Sequence, residues 1–269
     1  MKQLFSNWKG FLKESRFFDL SMFKPRETLS PKVWNFDKDR VDPKVREKLL
    51  QIAEDFIEQI KIKSFEVIDI TLTGSLANYN WTDFSDFDLH IILDFKQIDE
   101  NPGLVGDFFR TKSKIWNLAH DIKIKDHDVE IYVQDLAEPH ASTGVYSLLL
   151  NRWVKKPIKL RPEIDENEVK KKAAHISDLI DEIENLYNQN EFGMALEMAK
   201  RVREKIRNFR KCGLQREGEY SSENLAFKFM RRNGYLRKLA DLITNSYDKS
   251  MSIPPGKRDF DEFLKEISR

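Results

Sequence analysis

A single cysteine, Cys212, stands in a chain of 269 residues. That excludes an internal disulfide framework and fits a reducing, intracellular compartment. Its neighbour is Gly213 and no activating base lies close in sequence, so the thiol reads as structural rather than nucleophilic. Long apolar runs are missing too. No window approaches the roughly eighteen consecutive apolar residues of a membrane span, so no membrane partner is expected and the expected location is cytoplasmic. The first residues lack a signal-peptide core, because Lys9 and Lys13 interrupt Trp8 and Phe11. Internal repeats and low-complexity segments do not occur. Net charge is nearly absent: 46 Lys and Arg against 45 Asp and Glu leave +1, so any attraction for a polyanion must be local. What is present, 40% hydrophobic and 34% charged residues, allows one large domain or two modest ones.

The most informative stretch runs Leu72-Thr73-Gly74-Ser75-Leu76-Ala77, then a polar turn, then Ser85-Asp86-Phe87-Asp88-Leu89-His90-Ile91-Ile92-Leu93. It predicts a strand ending at Gly74, whose missing Cβ lets phosphate oxygens approach the backbone. A short helix starting at Ser75 would offer N–H groups, a positive dipole end and a hydroxyl to an anion. The strand period of two puts Asp86 and Asp88 on one face and Phe87 on the other. Neighbouring carboxylates repel unless a cation lies between them, and hard oxygen ligands with open positions for phosphate suit Mg²⁺. In Asp128-Val129-Glu130-Ile131-Tyr132-Val133, alternation points the three apolar residues one way and Asp128, Glu130 and Tyr132 the other. His90 shares the face of Asp86 and Asp88 and reads as a hydrogen-bonded histidine, not a ligand.

Gly74-Ser75, a ten-residue spacer and Asp86-Phe87-Asp88 together resemble the hallmark of the polymerase-β-like nucleotidyltransferase superfamily. The resemblance covers residues 65–135. It implies a third carboxylate on a later, neighbouring strand. Glu130 is the candidate where many members carry Asp, and Asp128 is the competing assignment. It further implies transfer of a nucleoside monophosphate from an NTP such as ATP to a hydroxyl acceptor, with release of pyrophosphate. Asp86, Asp88 and Glu130 would hold two Mg²⁺ or Mn²⁺ ions, and Gly74 and Ser75 would bind the nucleotide's phosphates. A nucleic acid or a nucleotide is the favoured acceptor. Residues 219–235 are also similar to the C-terminal region of nucleotidyltransferases encoded by tailed phages, which would place the chain in a host cytoplasm. The alternative reading is a non-catalytic nucleotide- or partner-binding module, or a packaged phage component.

Around this motif the pattern is that of an α+β protein: a small mixed β-sheet backed by helices, followed by an α-helical C-terminal domain. Residues 4–18 space Leu4, Phe5, Trp8, Phe11, Leu12 and Phe18 as an amphipathic helix. An extended arm follows to residue 41. Asp42-Pro43 starts a helix running to about Ile60. Strands are expected at 65–73, 86–94 and 127–134, with a helix at 104–120 after Asn101-Pro102-Gly103. From residue 165 only helical periodicity appears, giving helices at 166–188 and 193–210. Another is capped by Ser221 or Ser222, one spans 235–246 after Asn233-Gly234, and a tail helix spans 258–267. The expected domains are 1–41, 42–160 and 161–269. Residues 138–147 read as an interdomain turn or as a loop holding a base or ribose. Residues 200–238 carry thirteen Lys and Arg against four Glu, a net of +9, and Lys200, Arg203, Arg207 and Arg210 share one helix face. That face is either simply solvated or a wall for triphosphate or nucleic acid. Arg110, Lys112 and Lys114 read as a solvated helix face.

Overall fold

A computed structural model describes residues 21–60, 65–140 and 142–253. The helices expected at 4–18 and 258–267 lie outside the described residues. The chain divides into two compact units, one running to Pro162 and one formed by the residues from Glu163 onward.

The first unit opens with a hairpin of β1 (Trp34–Asn35) and β2 (Arg40–Val41), then α1 (Pro43–Ile60). The Asp42 carboxylate accepts the backbone N–H groups of Lys44 and Val45 at 3.0 and 3.2 Å, which fixes the start of α1. One stripe of that helix, Val45, Leu49, Ala53 and Phe56 among its members, is buried. There follow β3 (Val67–Thr73), β4 (Phe87–Leu93), the one-turn helix α2 (Phe95–Ile98), α3 (Pro102–Ala119), β5 (Lys123–Ile124), β6 (His127–Asp135), β7 (Val145–Ser147) and β8 (Arg152–Lys155). The six longer-range strands form one sheet in the order β5-β6-β4-β3-β7-β8. All neighbours are antiparallel except β4 and β6. A parallel pair needs a long crossover, and α2 with α3 supplies it. Phe87, Leu89, Ile91 and Ile131 are fully buried on the core face of the sheet. Alternation therefore sends Asp88, His90, Glu130 and Tyr132 to the other face.

Two expectations are corrected here. Residues 21–41 are not an extended arm: Leu29, Val33, Trp34 and Val41 belong to the core of the first unit. Trp34 stacks on Trp153 at 4.4 Å and meets Tyr146 edge-on at 5.1 Å. Residues 138–147 are not an interdomain turn either. Their last three residues are β7, paired through Thr71↔Ser147 and Leu72↔Tyr146, and Tyr146 is fully buried.

The second unit is helical throughout its described residues: α4 (Glu166–Asn188), α5 (Phe192–Glu217), α6 (Ser222–Arg232) and α7 (Tyr235–Met251). Asp165 and Ser221 cap α4 and α6 by accepting the N–H groups of Glu168 and Asn224. Gly234 breaks α6 from α7 in the left-handed conformation, at φ 78°. No described helix is long and apolar enough to cross a membrane.

Trp34→Ala removes a side chain only 4% exposed together with its stacking partner's contact. We expect it to destabilise the first unit by about 3–5 kcal/mol. Urea denaturation followed by circular dichroism checks this; a midpoint equal to that of wild type would show that residues 21–41 are peripheral.

Candidate functional site

β3 delivers the chain to Thr73, and Gly74 follows at φ 71° and ψ −157°, a conformation almost reserved for glycine. The reason lies on the neighbouring strand. A Cβ on Gly74 would sit 1.7 Å from Oδ2 of Asp88, so the missing side chain is the space that the Asp88 carboxylate fills. Gly74 thus seats a carboxylate, a role beyond the expected approach of phosphate to its backbone. The expected helix at Ser75 is a single 3-10 turn, Ser75–Ala77, whose Leu76 and Ala77 are buried. Three residues build no appreciable dipole, so the expected helix end for an anion is not formed and a single turn stands in its place.

This turn is braced from several sides. Trp34 donates its indole N–H to the Leu76 carbonyl at 2.8 Å. A Cβ on Gly144 would lie 2.0 Å from the Ala77 carbonyl oxygen, so β7 is entered by backbone packed directly on the turn. Asn78 donates its side-chain amide to the Thr143 hydroxyl. Ser75 Oγ donates to Ser85 Oγ at 2.7 Å, and Ser85 Oγ accepts the Thr82 N–H at 2.9 Å. His127 Nδ1 donates to the Ser85 carbonyl at 2.7 Å, tying the residue before Asp86 to the start of β6.

The carboxylates follow from strand register. Asp88 is paired with Thr73 on β3 and with Glu130 on β6. Neighbouring strands lie about 4.8 Å apart, so Asp88 and Glu130 leave the same face of the sheet side by side. Asp86 stands one residue before β4. Tyr132 registers all three charges at one atom. Burial raises its ionisation far above the ordinary tyrosine value, and so do the hydrogen bond it donates to Glu130 Oε2 and the negative charges of Glu130, Asp88 and Asp86. Asp128 has a different environment: it is exposed and ion-paired with Lys123 across β5 and β6. That bond is the main cause raising the Lys123 pKa above its ordinary value. Register therefore favours Glu130 over Asp128 as the neighbour of Asp88.

No family model, no curated protein and no solved structure matches this chain.

The chemistry of the site is accordingly read from its own geometry. Three carboxylates within Coulombic reach of one hydroxyl make a face of strong negative potential lined with hard oxygen donors. Among the described residues, no three His, Cys, Asp or Glu side chains are grouped closely enough, as they stand, to hold a metal ion. Open carboxylate clusters of this kind suit Mg²⁺, which completes its shell with water and phosphate oxygens. His90 accords with the non-ligand reading: Nδ1 bonds Gln134 Oε1 at 3.0 Å and the ring tilts against Tyr132 at 5.1 Å. Burial lowers its pKa to about 4, so the ring is neutral at physiological pH. Arg110, Lys112 and Lys114 occupy exposed positions of α3, and Arg110 pairs with Asp107 at 2.7 Å.

Sequence reasoning gave no role to Trp34, His127, Tyr132 or Gly144. Only Tyr132 carried a signal, since it shares the parity of Glu130. The others act through contacts between residues far apart in the chain.

Gly74→Ala would both strain a positive-φ backbone and collide with Asp88. The expected destabilisation is about 1–3 kcal/mol, with the Asp88 side chain displaced. Urea denaturation and a crystal structure of the variant check this. An unmoved Asp88 in a fully stable variant would show that the carboxylate does not depend on the glycine.

Proposed function

We propose that the first unit is a metal-dependent nucleotidyltransferase of the polymerase-β-like type, moving a nucleoside monophosphate from an NTP to a hydroxyl and releasing pyrophosphate. The observation that carries this reading is the in-register pair Asp88–Glu130, half-buried on one face of the sheet and against the Gly74-Ser75 turn, with Asp86 one residue before β4. Asp86, Asp88 and Glu130 would hold Mg²⁺ or Mn²⁺, which when bound neutralises triphosphate charge and acidifies the acceptor hydroxyl.

The protein's own groups then have defined tasks. The backbone of the turn, and the Ser75 hydroxyl once it turns from Ser85 to the nucleotide, would orient the β- and γ-phosphates. The acceptor oxygen attacks the α-phosphorus, the bond to the pyrophosphate oxygen breaks, and the hydroxyl proton passes to Glu130. The bond from Tyr132 supports that last role, because there Glu130 accepts from a hydroxyl on the same face of the sheet. Rate acceleration comes mainly from positioning and charge neutralisation. A nucleic acid or a nucleotide is the favoured acceptor class, and strong salt dependence of acceptor binding would support a polyanion.

The same bond is also the one observation on the side of a binding module without chemistry, since Glu130 already has a hydroxyl partner. A labelling experiment separates the two. Purified protein is incubated with each α-labelled NTP, Mg²⁺ or Mn²⁺ and total RNA, and products are resolved by thin-layer chromatography. We expect label in RNA or in a new nucleotide species, reduced at least about 100-fold by Asp86→Asn, Asp88→Asn or Glu130→Gln. Binding of Mg²⁺-NTP by calorimetry without any product would favour the module.

A second readout does not depend on turnover. Neutral isosteres relieve like-charge repulsion, so the three variants should melt at or above the wild-type temperature. Mg²⁺ should raise the melting temperature of wild type and not that of Asp86→Asn/Asp88→Asn. An equal Mg²⁺ effect on both proteins would remove these residues from the metal site.

A further inference from the structure

Tyr132 lies two residues beyond Glu130 on β6, on the same face of the sheet. Such positions are about 6.6–6.8 Å apart along a strand, a distance that a tyrosine side chain can cover. At 37% exposure, a strand tyrosine ordinarily turns its polar tip to water. This one turns its hydroxyl back along the strand and donates to Glu130 Oε2.

The ring is held in that direction by residues of both strands. His90 faces Tyr132 and Ile92 faces Gln134 in the parallel register of β4 and β6. Gln134 Nε2 donates to the Glu138 carbonyl at 3.1 Å, and Gln134 Oε1 bonds His90 Nδ1 at 3.0 Å. The imidazole so fixed lies 5.1 Å from the Tyr132 ring, at 31° to its plane. Packing therefore places the hydroxyl, which is what a reacting group needs. The other hydroxyls around the carboxylates are engaged or hidden. Ser75 Oγ bonds Ser85 Oγ, and Thr73, opposite Asp88 on β3, is only 4% exposed. Of these hydroxyls, that of Tyr132 alone combines exposure with a bond to a site carboxylate.

In the reaction proposed above, Glu130 takes the proton of the acceptor hydroxyl. The hydroxyl that stands at Glu130 belongs to the chain itself. Resting on that reading, we propose that Tyr132 is a modification site, onto which the chain transfers one nucleoside monophosphate from an NTP. Tyr132 Oη bonds the α-phosphorus, the bond from that phosphorus to the pyrophosphate oxygen breaks, and the phenolic proton passes to Glu130. Pyrophosphate leaves, and the product is a phosphodiester between the tyrosine and the nucleoside. Each chain is modified once and in cis, because the nucleophile and Glu130 lie two residues apart.

Mass spectrometry of the full-length chain tests this. The protein is incubated with each NTP and Mg²⁺ or Mn²⁺, with no other acceptor, while parallel samples contain labelled NTP and total RNA. We expect the intact mass to rise by at most one nucleoside monophosphate, and tandem spectra to place it on Tyr132. The rate should not depend on protein concentration and should fall at least about 100-fold in Glu130→Gln. Tyr132→Phe keeps the ring against His90 and should carry no adduct, its melting temperature showing that it is folded. A mixture of Glu130→Gln and Tyr132→Phe should stay unmodified, since neither chain holds both groups. An adduct on Glu130→Gln in that mixture would overturn the proposal by showing transfer between chains, as would an adduct on another residue. Wild type that labels RNA or a nucleotide but never Tyr132 would overturn it too; the nucleotidyltransferase reading would then stand, with Tyr132 only orienting Glu130. No product in any sample would remove both.

Discussion

Asp88 and Glu130 face each other because β4 and β6 pair in parallel with these two residues in register. The rest of the first unit is arranged around that pairing. Two carboxylates about 5 Å apart repel by about 3 kcal/mol at an effective dielectric constant near 20, and Asp86 adds to this. The strands bear it because period two separates their faces. On the reverse side Phe87, Leu89, Ile91 and Ile131 are fully buried, each contributing about 1.5–3 kcal/mol. The depth of β6 is fixed from its outer edge. β5 pairs with β6 only at His127 and Asp128, and beyond that Asn117 of α3 takes the place of a strand. Its amide accepts from the Ile131 N–H at 2.9 Å and donates to the Ile131 carbonyl at 3.1 Å. The crossover helix that makes the parallel pair possible thus also holds the residue next to Glu130.

The turn after β3 has to meet this pair, and its geometry is dictated by it. Any side chain at position 74 would occupy the place of the Asp88 carboxylate, so the glycine is required before any ligand is considered. The turn is then held by parts of the chain remote in sequence: Trp34 from the N-terminal hairpin and Gly144 from the approach to β7. Loops rich in hydroxyls move unless their backbone is bonded, and here Ser75, Thr82, Ser85 and His127 form one continuous set of bonds. Positioning of this kind is what a phosphoryl-transfer site needs from its scaffold.

The mixed sheet and the C-terminal helices were legible because they depend on periodicity. The strands expected at 65–73, 86–94 and 127–134 are β3, β4 and β6 to within two residues at either end, and α4 spans the expected residues. Caps at Asp42, Asp165 and Gly234 mark their ends with side-chain or backbone chemistry that a sequence displays directly. β7 and β8 were not legible. A three-residue strand with all positions buried shows no alternation, and Ser142-Thr143-Gly144 before it looks like any surface turn. The hairpin around Trp34 failed for the same reason: two-residue strands have no period. The carboxylates could be placed on a common face, but their register could not, since register is fixed by the crossover and by Asn117.

Within β6, two carboxylates of the same parity have opposite environments, and the contrast bears on function. Asp128 is matched with the Lys123 ammonium, and the pair cancels its own charge at the exposed sheet edge. Glu130 is matched with the hydroxyl of Tyr132, a neutral donor that satisfies an oxygen but leaves the negative charge in place. That charge adds to those of Asp88 and Asp86, and after burial and the Glu130 bond all three help to keep the Tyr132 hydroxyl protonated. A carboxylate whose only task is to hold an edge strand gains from a cationic partner. One that has to attract a cation and its triphosphate must not have one, because a lysine there would compete for the same oxygens. On the proposed reading, a neutral donor keeps Glu130 oriented without spending its charge, and exchanging that donor for an acceptor hydroxyl would cost one hydrogen bond and no ion pair.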